Sequence, residues 1–105
     1  MVSRGEIVLT DFPYTDLSSS KLRPALVLLT DNNNIMLAFI TSQFPIEKYD
    51  VEIKPTTQNG LRLTSLIRLS KVMTLDQKRI VGRIGELDQQ TFDHVRDKLR
   101  LIFEL

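Results

Sequence analysis

The chain has 105 residues, 42% of them hydrophobic, with a formal net charge of +1, no cysteine and a single histidine, His94. That length holds one core of useful size and that composition is globular, not disordered. Without cysteine, disulfides, thiolate metal sites and cysteine nucleophiles are excluded. No apolar run approaches the ~20 residues that span a bilayer, and the N-terminus lacks a signal-peptide apolar segment. The expectation is one soluble, cytoplasmic domain over residues 1–105.

Residues 5–12 (GEIVLTDF) read as a strand, followed by a turn-rich loop over 13–22 that holds Asp16 and Ser18-Ser19-Ser20. Residues 23–30 form a second strand, with Pro24 confined to its first residues or to an edge because it cannot donate to the ladder. Asp31-Asn32-Asn33-Asn34 is a tight hairpin, since Asn and Asp tolerate left-handed backbone. Residues 35–42 are nearly all apolar, as in a central strand buried on both faces. These three segments form an antiparallel meander.

A loop over 43–48 leads to residues 50–54, where Val51 and Ile53 alternate with charges as in a half-exposed strand. After a loop over 55–60, residues 63–69 and 79–84 read as further short strands, with a helical turn expected at 71–76. Asp88 is a good N-cap for a final helix, and Leu87 can pack on Phe92 as a hydrophobic staple. Phe92, Val95, Leu99 and Ile102 recur at helical spacing as one apolar stripe. The predicted class is mainly β with α: a small, partly open antiparallel barrel of five or six strands plus a C-terminal helix.

Charge is unevenly spread. Between Arg62 and Arg83 there are six basic residues (Arg62, Arg68, Lys71, Lys78, Arg79, Arg83) against the single acid Asp76. Such a segment can track phosphates, or it can be a solvated mixed surface. No combination of residues makes a metal site, a Ser-His-Asp triad or a glycine-rich phosphate loop. His94 lies about 200° around the helix from Phe92 by helical geometry, so it faces solvent or a helix edge.

What remains is an arginine, Arg23, at the start of one apolar strand and two hydroxyls, Thr41 and Ser42, at the end of the next. On one edge of a sheet these could hold a phosphate between them. Arginine supplies always-charged bidentate donors to phosphate oxygens, and the hydroxyls add neutral, position-setting hydrogen bonds. That equipment suits RNA cleavage by the substrate's own 2′-OH, which needs neither a metal nor a covalent residue. Each residue also has a plain structural reading: Arg23 as a loop arginine lying over apolar surface, Thr41 and Ser42 as turn caps. Arg68, flanked by Leu66, Ile67 and Leu69, shares a face with Leu66 in an alternating strand and is expected to reach a groove or an interface.

The segments RGEIVLTDFPYTD, KLRPALVLLT, AFITS and LTSLIRLSKVMTLDQ, in this order and spacing, resemble the MazF/PemK family of toxins. The resemblance implies an SH3-like or CcdB-like barrel, a homodimer, and metal-independent, sequence-specific cleavage of single-stranded RNA. It also implies a cognate antitoxin whose disordered tail occupies the RNA groove, and DNA binding together with that antitoxin. Carried over residue by residue, the family's arginine before proline falls on Arg23, and its strand-end Thr-Ser falls on Thr41 and Ser42. The arginine of the later strand, an acid in proposed PemK mechanisms, falls on Arg68. The expected catalytic set is Arg23, Thr41 and Arg68, with Ser18, Lys21, Ser42, Ser65 and Ser70 contacting substrate; no cofactor is expected.

Two departures bear on the mechanism. PemK-type proteins carry an acid two positions after the later arginine, where this chain has Ser70. Some MazF proteins carry a glutamate five positions before Arg-Pro, where it has Ser18. The general base is therefore not carried over, and Arg23 with Thr41 becomes the principal pair, with Arg68 supporting. Two other functions stay open at the level of sequence: a catalytically silent barrel that only binds, and a CcdB-like gyrase poison. The second is disfavoured because such toxins typically end in tryptophan, whereas this chain has none and closes with Phe103-Glu104-Leu105.

Overall fold

The computed structural model describes residues 2–11 and 22–105. Six strands, β1 (Glu6–Thr10), β2 (Arg23–Asp31), β3 (Asn34–Thr41), β4 (Asp50–Ile53), β5 (Ser65–Asp76) and β6 (Ile80–Glu86), precede one helix, α1 (Gln89–Phe103). They form one open sheet in the order β4-β5-β3-β2-β1-β6, with every neighbouring pair antiparallel. The meander β1-β2-β3 and the mainly-β class with a C-terminal helix are as the sequence pattern implies.

Alternation along the central strands explains the two-sided core. A strand sends successive side chains to opposite faces, and β3 places Ala38 and Ile40 in one cluster and Ile35, Leu37 and Phe39 in the other. β2 divides likewise, Leu26 and Leu28 from Ala25 and Val27. The first cluster is covered by α1 through Phe92 and Val95. Asp88 caps this helix, its carboxylate accepting from Thr91 N at 3.2 Å and Thr91 Oγ1 at 2.6 Å. Leu87 joins Phe92 in the same cluster, as a staple requires. The β2–β3 hairpin turns at Asn32, whose φ of 55° lies in the left-handed region.

The helical turn expected over 71–76 is instead the second half of β5. The register with β3 jumps from Ala38↔Val72 to Phe39↔Arg68, so the intervening residues bulge out of the ladder and the strand then resumes. Leu75 packs against the second cluster there, and that burial outweighs local helical propensity. A 3-10 turn follows only at Gln77–Arg79, capped by Asp76.

Candidate functional site

The register of β2 and β3 builds the site. Ala25 pairs with Phe39, and continuing the antiparallel count by two residues brings Arg23 opposite Thr41 where the sheet ends. On the other side Arg23 pairs with Thr10 of β1. Pro24, the second residue of β2, stands opposite Leu9, within the first residues of the strand as expected. Arg23 is half-buried, not exposed, because strands flank it on both sides.

Here a cleft of about 160 Å³ is lined by Arg23 and Pro24 from β2 and by Ile40, Thr41 and Ser42 at the end of β3. Leu61, Arg62, Leu63 and Ser65, leading into β5, complete it. Arg23, Thr41, Ser42 and Ser65 are thus brought together. Thr41 Oγ1 accepts from Gln43 N at 3.1 Å, which holds the turn. A hydroxyl has two lone pairs and one donor, so this bond leaves the Thr41 O–H able to point at a ligand. Ser65 is buried and donates to Leu63 O at 2.8 Å, so its hydroxyl braces the wall of the cleft.

That wall is held by an unusual loop. Asn59, only 6% exposed, donates to Lys54 O at 2.9 Å and accepts from the amides of Thr56 and Leu61, each at 3.0 Å. Gly60 has φ +71°, and a Cβ there would lie 2.0 Å from Ile84 O of β6. A Cβ on Gly85 would fall 2.4 Å from the Asn59 backbone, and Glu86 N donates to Gln58 O at 3.0 Å. Two glycines therefore let the loop lie directly on β6, which fixes the backbone that carries Leu61, Arg62 and Leu63.

Arg68 is placed elsewhere. It lies on the face of Phe39, its register partner, and its guanidinium turns toward β4 rather than into the cleft. Nε and Nη2 donate to the two oxygens of Asp50 at 3.1 and 3.0 Å, and Nη2 lies 3.5 Å from Glu47 Oε2. The Asp50 side chain is fully buried and that of Arg68 is 12% exposed. Asp50 also accepts from Glu47 N at 2.7 Å. Of the expected groove or interface, the described residues show an ion pair: a buried carboxylate on the neighbouring strand needs the charge of Arg68. Ser70 sits exposed within the β5 bulge and does not line the cleft. Ser18 and Lys21 lie outside the described residues. His94 is exposed on α1, outside the cleft.

Asp11, the residue after β1, follows Thr10, the register partner of Arg23. Its carboxyl is held below the usual range by the hydrogen bond from Arg79 Nε, 2.8 Å long, and a carboxylate stabilised in its charged form is a poorer base. Arg62, known from the sequence only as one of six bases in a segment able to track phosphates, and Leu63 are lining residues outside the expected site set. The usable signal was Asn59-Gly60, a turn dipeptide that places the next residues at a fixed bend.

What the cleft offers is guanidinium and hydroxyl donors set in an apolar frame, suited to a single phosphate of an extended chain. A family model described as "PemK-like, MazF-like toxin of type II toxin-antitoxin system" matches residues 3–103. The chain is similar to Endoribonuclease EndoA of Bacillus subtilis, at 27% identity over 112 residues covering 100% of this chain and 97% of that protein. Its fold is similar to that of Mycobacterium tuberculosis toxin MazF-mt6, with a TM-score of 0.79 and 20% identity over 95% of this chain and 97% of the other. It is also similar to an endoribonuclease from a mycobacterial species solved in complex with its cognate antitoxin, with a TM-score of 0.79 and 17% identity over 100% and 97% of the two chains.

Proposed function

The chain belongs to the PemK-like, MazF-like toxins of type II toxin–antitoxin systems, and from that premise we propose that it cuts single-stranded RNA in the cytoplasm at the Arg23–Thr41 cleft. The observation that carries this reading is the convergence of Arg23, Thr41 and Ser42, from two different strands, on one cleft whose lining among the described residues holds arginines and hydroxyls. Endoribonuclease activity is what EndoA is named for.

In this mechanism the substrate's 2′-OH attacks the adjacent phosphorus and the 5′-oxygen leaves. The phosphorane between them carries extra negative charge on its equatorial oxygens. Arg23 meets that charge with a planar fork of fixed donors. The Thr41 O–H, oriented by its bond from Gln43 N, adds a second donor at a set position. Ser42, exposed at the rim, contacts the incoming strand. Arg68 supports the site indirectly by holding β4 and residues 47–50 against β5.

The same reading includes a cognate antitoxin, as in the mycobacterial complex, and a homodimer. Pairing is supported by a second, apolar cleft of about 290 Å³ between α1 and the sheet, lined in part by Leu28, Met36, Val72, Leu99 and Phe103. Neighbouring Met73 and Leu101 are also exposed, a patch of the kind that association covers.

The test is purified protein against a long RNA in EDTA, with the new ends mapped. The expected products are a 2′,3′-cyclic phosphate, or its opened 3′-phosphate, and a free 5′-OH. A 2′-deoxy nucleotide at the cut site abolishes cleavage while binding persists. Strict Mg²⁺ dependence or 5′-phosphate ends would overturn the mechanism.

A further inference from the structure

We infer that Arg62 is the second cation on the scissile phosphate, gripping it from the wall of the cleft opposite Arg23. The inference rests on the RNA-cleaving reading above and adds a residue to it. Its starting point is a charge requirement: one guanidinium leaves a doubly charged phosphorane incompletely matched, and the other arginine of the expected set, Arg68, is committed to Asp50. Among the described residues, Arg62 is the other cation that lines the cleft.

Its position follows from topology. In the order β5-β3-β2, Thr41 of β3 lies between Arg23 of β2 and the segment that enters β5. Arg23 and Arg62 therefore flank the Thr41 hydroxyl across a space of about 160 Å³. The backbone of Arg62 is set by the Asn59 knot and by the seating of Gly60 and Gly85 between the loop and β6. That framework is costly to build: it needs a buried Asn and a positive-φ glycine, and it ends where Arg62 begins. Arg62 is exposed, so its fork can close on a phosphate that has already entered. Leu63 beside it is 62% exposed and offers apolar surface to a base or ribose of the same strand.

Arg62→Ala separates this role from a general electrostatic one. With single-turnover cleavage as readout, its rate is expected to fall at least tenfold while its melting temperature is unchanged, because the residue is exposed. Binding to an RNA blocked by a 2′-deoxy nucleotide at the cut site should lose about one from its log–log salt slope. Arg62→Lys should regain the slope but not the rate, since a point charge cannot replace a bidentate fork. Arg100→Ala, on the far part of α1, should change neither. If the unaltered protein cuts RNA and Arg62→Ala cuts as fast, the inference fails. It fails equally if the slope changes but the rate does not, which would put Arg62 on a flanking phosphate. If the unaltered protein cuts no RNA, the broader reading fails instead.

Discussion

Two corners of one sheet use arginine in opposite ways. At the β2–β3 end, Arg23 and Arg62 line a cleft beside the Thr41 hydroxyl. At the β4–β5 corner, Arg68 is locked two-pronged onto a fully buried carboxylate, Asp50. Both arginines of the sequence pattern sit in apolar strands and look alike in the sequence. What separates them is the cross-strand partner. Arg68 meets an acid in the β4 register, whereas the Arg23 row continues through Thr41 and Thr10. The register row thus separates an arginine held against an acid from one set beside hydroxyls at a cleft.

The largest effect expected from this contrast is on stability. Arg68→Ala strands the Asp50 carboxylate in the interior and should cost about 3–5 kcal/mol in urea unfolding. The double change Asp50→Asn with Arg68→Gln, a neutral hydrogen-bonding pair, should recover most of that loss. A cost below about 1 kcal/mol for Arg68→Ala would erase the distinction between the corners. At the cleft, Arg23→Ala should lower cleavage by a factor of about 10² or more. Arg23→Lys should be nearly as poor.

Thr41→Val sharpens the comparison within the cleft itself. Both roles of this hydroxyl are compatible with its bond from Gln43 N. Removing it should therefore cost about 1 kcal/mol in stability and, if the O–H also serves the phosphate, about tenfold or more in cleavage rate. Full activity with reduced stability would leave Thr41 as a turn cap alone.

The smallest effect lies far from both corners. Thr91 holds the Asp88 carboxyl below its usual range, chiefly through its side-chain hydrogen bond. A depressed folded-state pKa means that this cap contributes above the unfolded value of about 3.9. The contribution is lost as pH falls through the folded value. Asp88→Ala should cost about 1 kcal/mol at neutral pH. The difference between mutant and parent should shrink below pH 4 in acid-dependent unfolding.

Much of the fold was legible because the signals were local. Asp88 and the stripe Phe92, Val95, Leu99, Ile102 mark the helix, and Asn32-Asn33 marks the hairpin. The continuation of β5 through Val72 and Leu75 was not legible, because a bulge interrupts its alternation and only burial of Leu75 against β3 and its neighbours restores it. In the site, Arg23, Thr41, Ser42 and Ser65 could be found from strand ends and resemblance. The pairing of Arg68 with Asp50 was not legible because the two lie 18 residues apart in sequence. Arg62 was legible only as one base of a phosphate-tracking segment, because its place at the cleft depends on glycine seating across β6, a contact between residues far apart in the chain.

The central claim is that RNA is cut at the Arg23–Thr41 cleft and that Arg68 serves the framework. It is tested most directly by single-turnover cleavage with two folded variants side by side, Arg23→Ala and the Asp50→Asn/Arg68→Gln pair. The account predicts that Arg23→Ala loses at least 10²-fold while the pair stays within about fivefold of the parent. An active Arg23→Ala beside a dead double variant would contradict it.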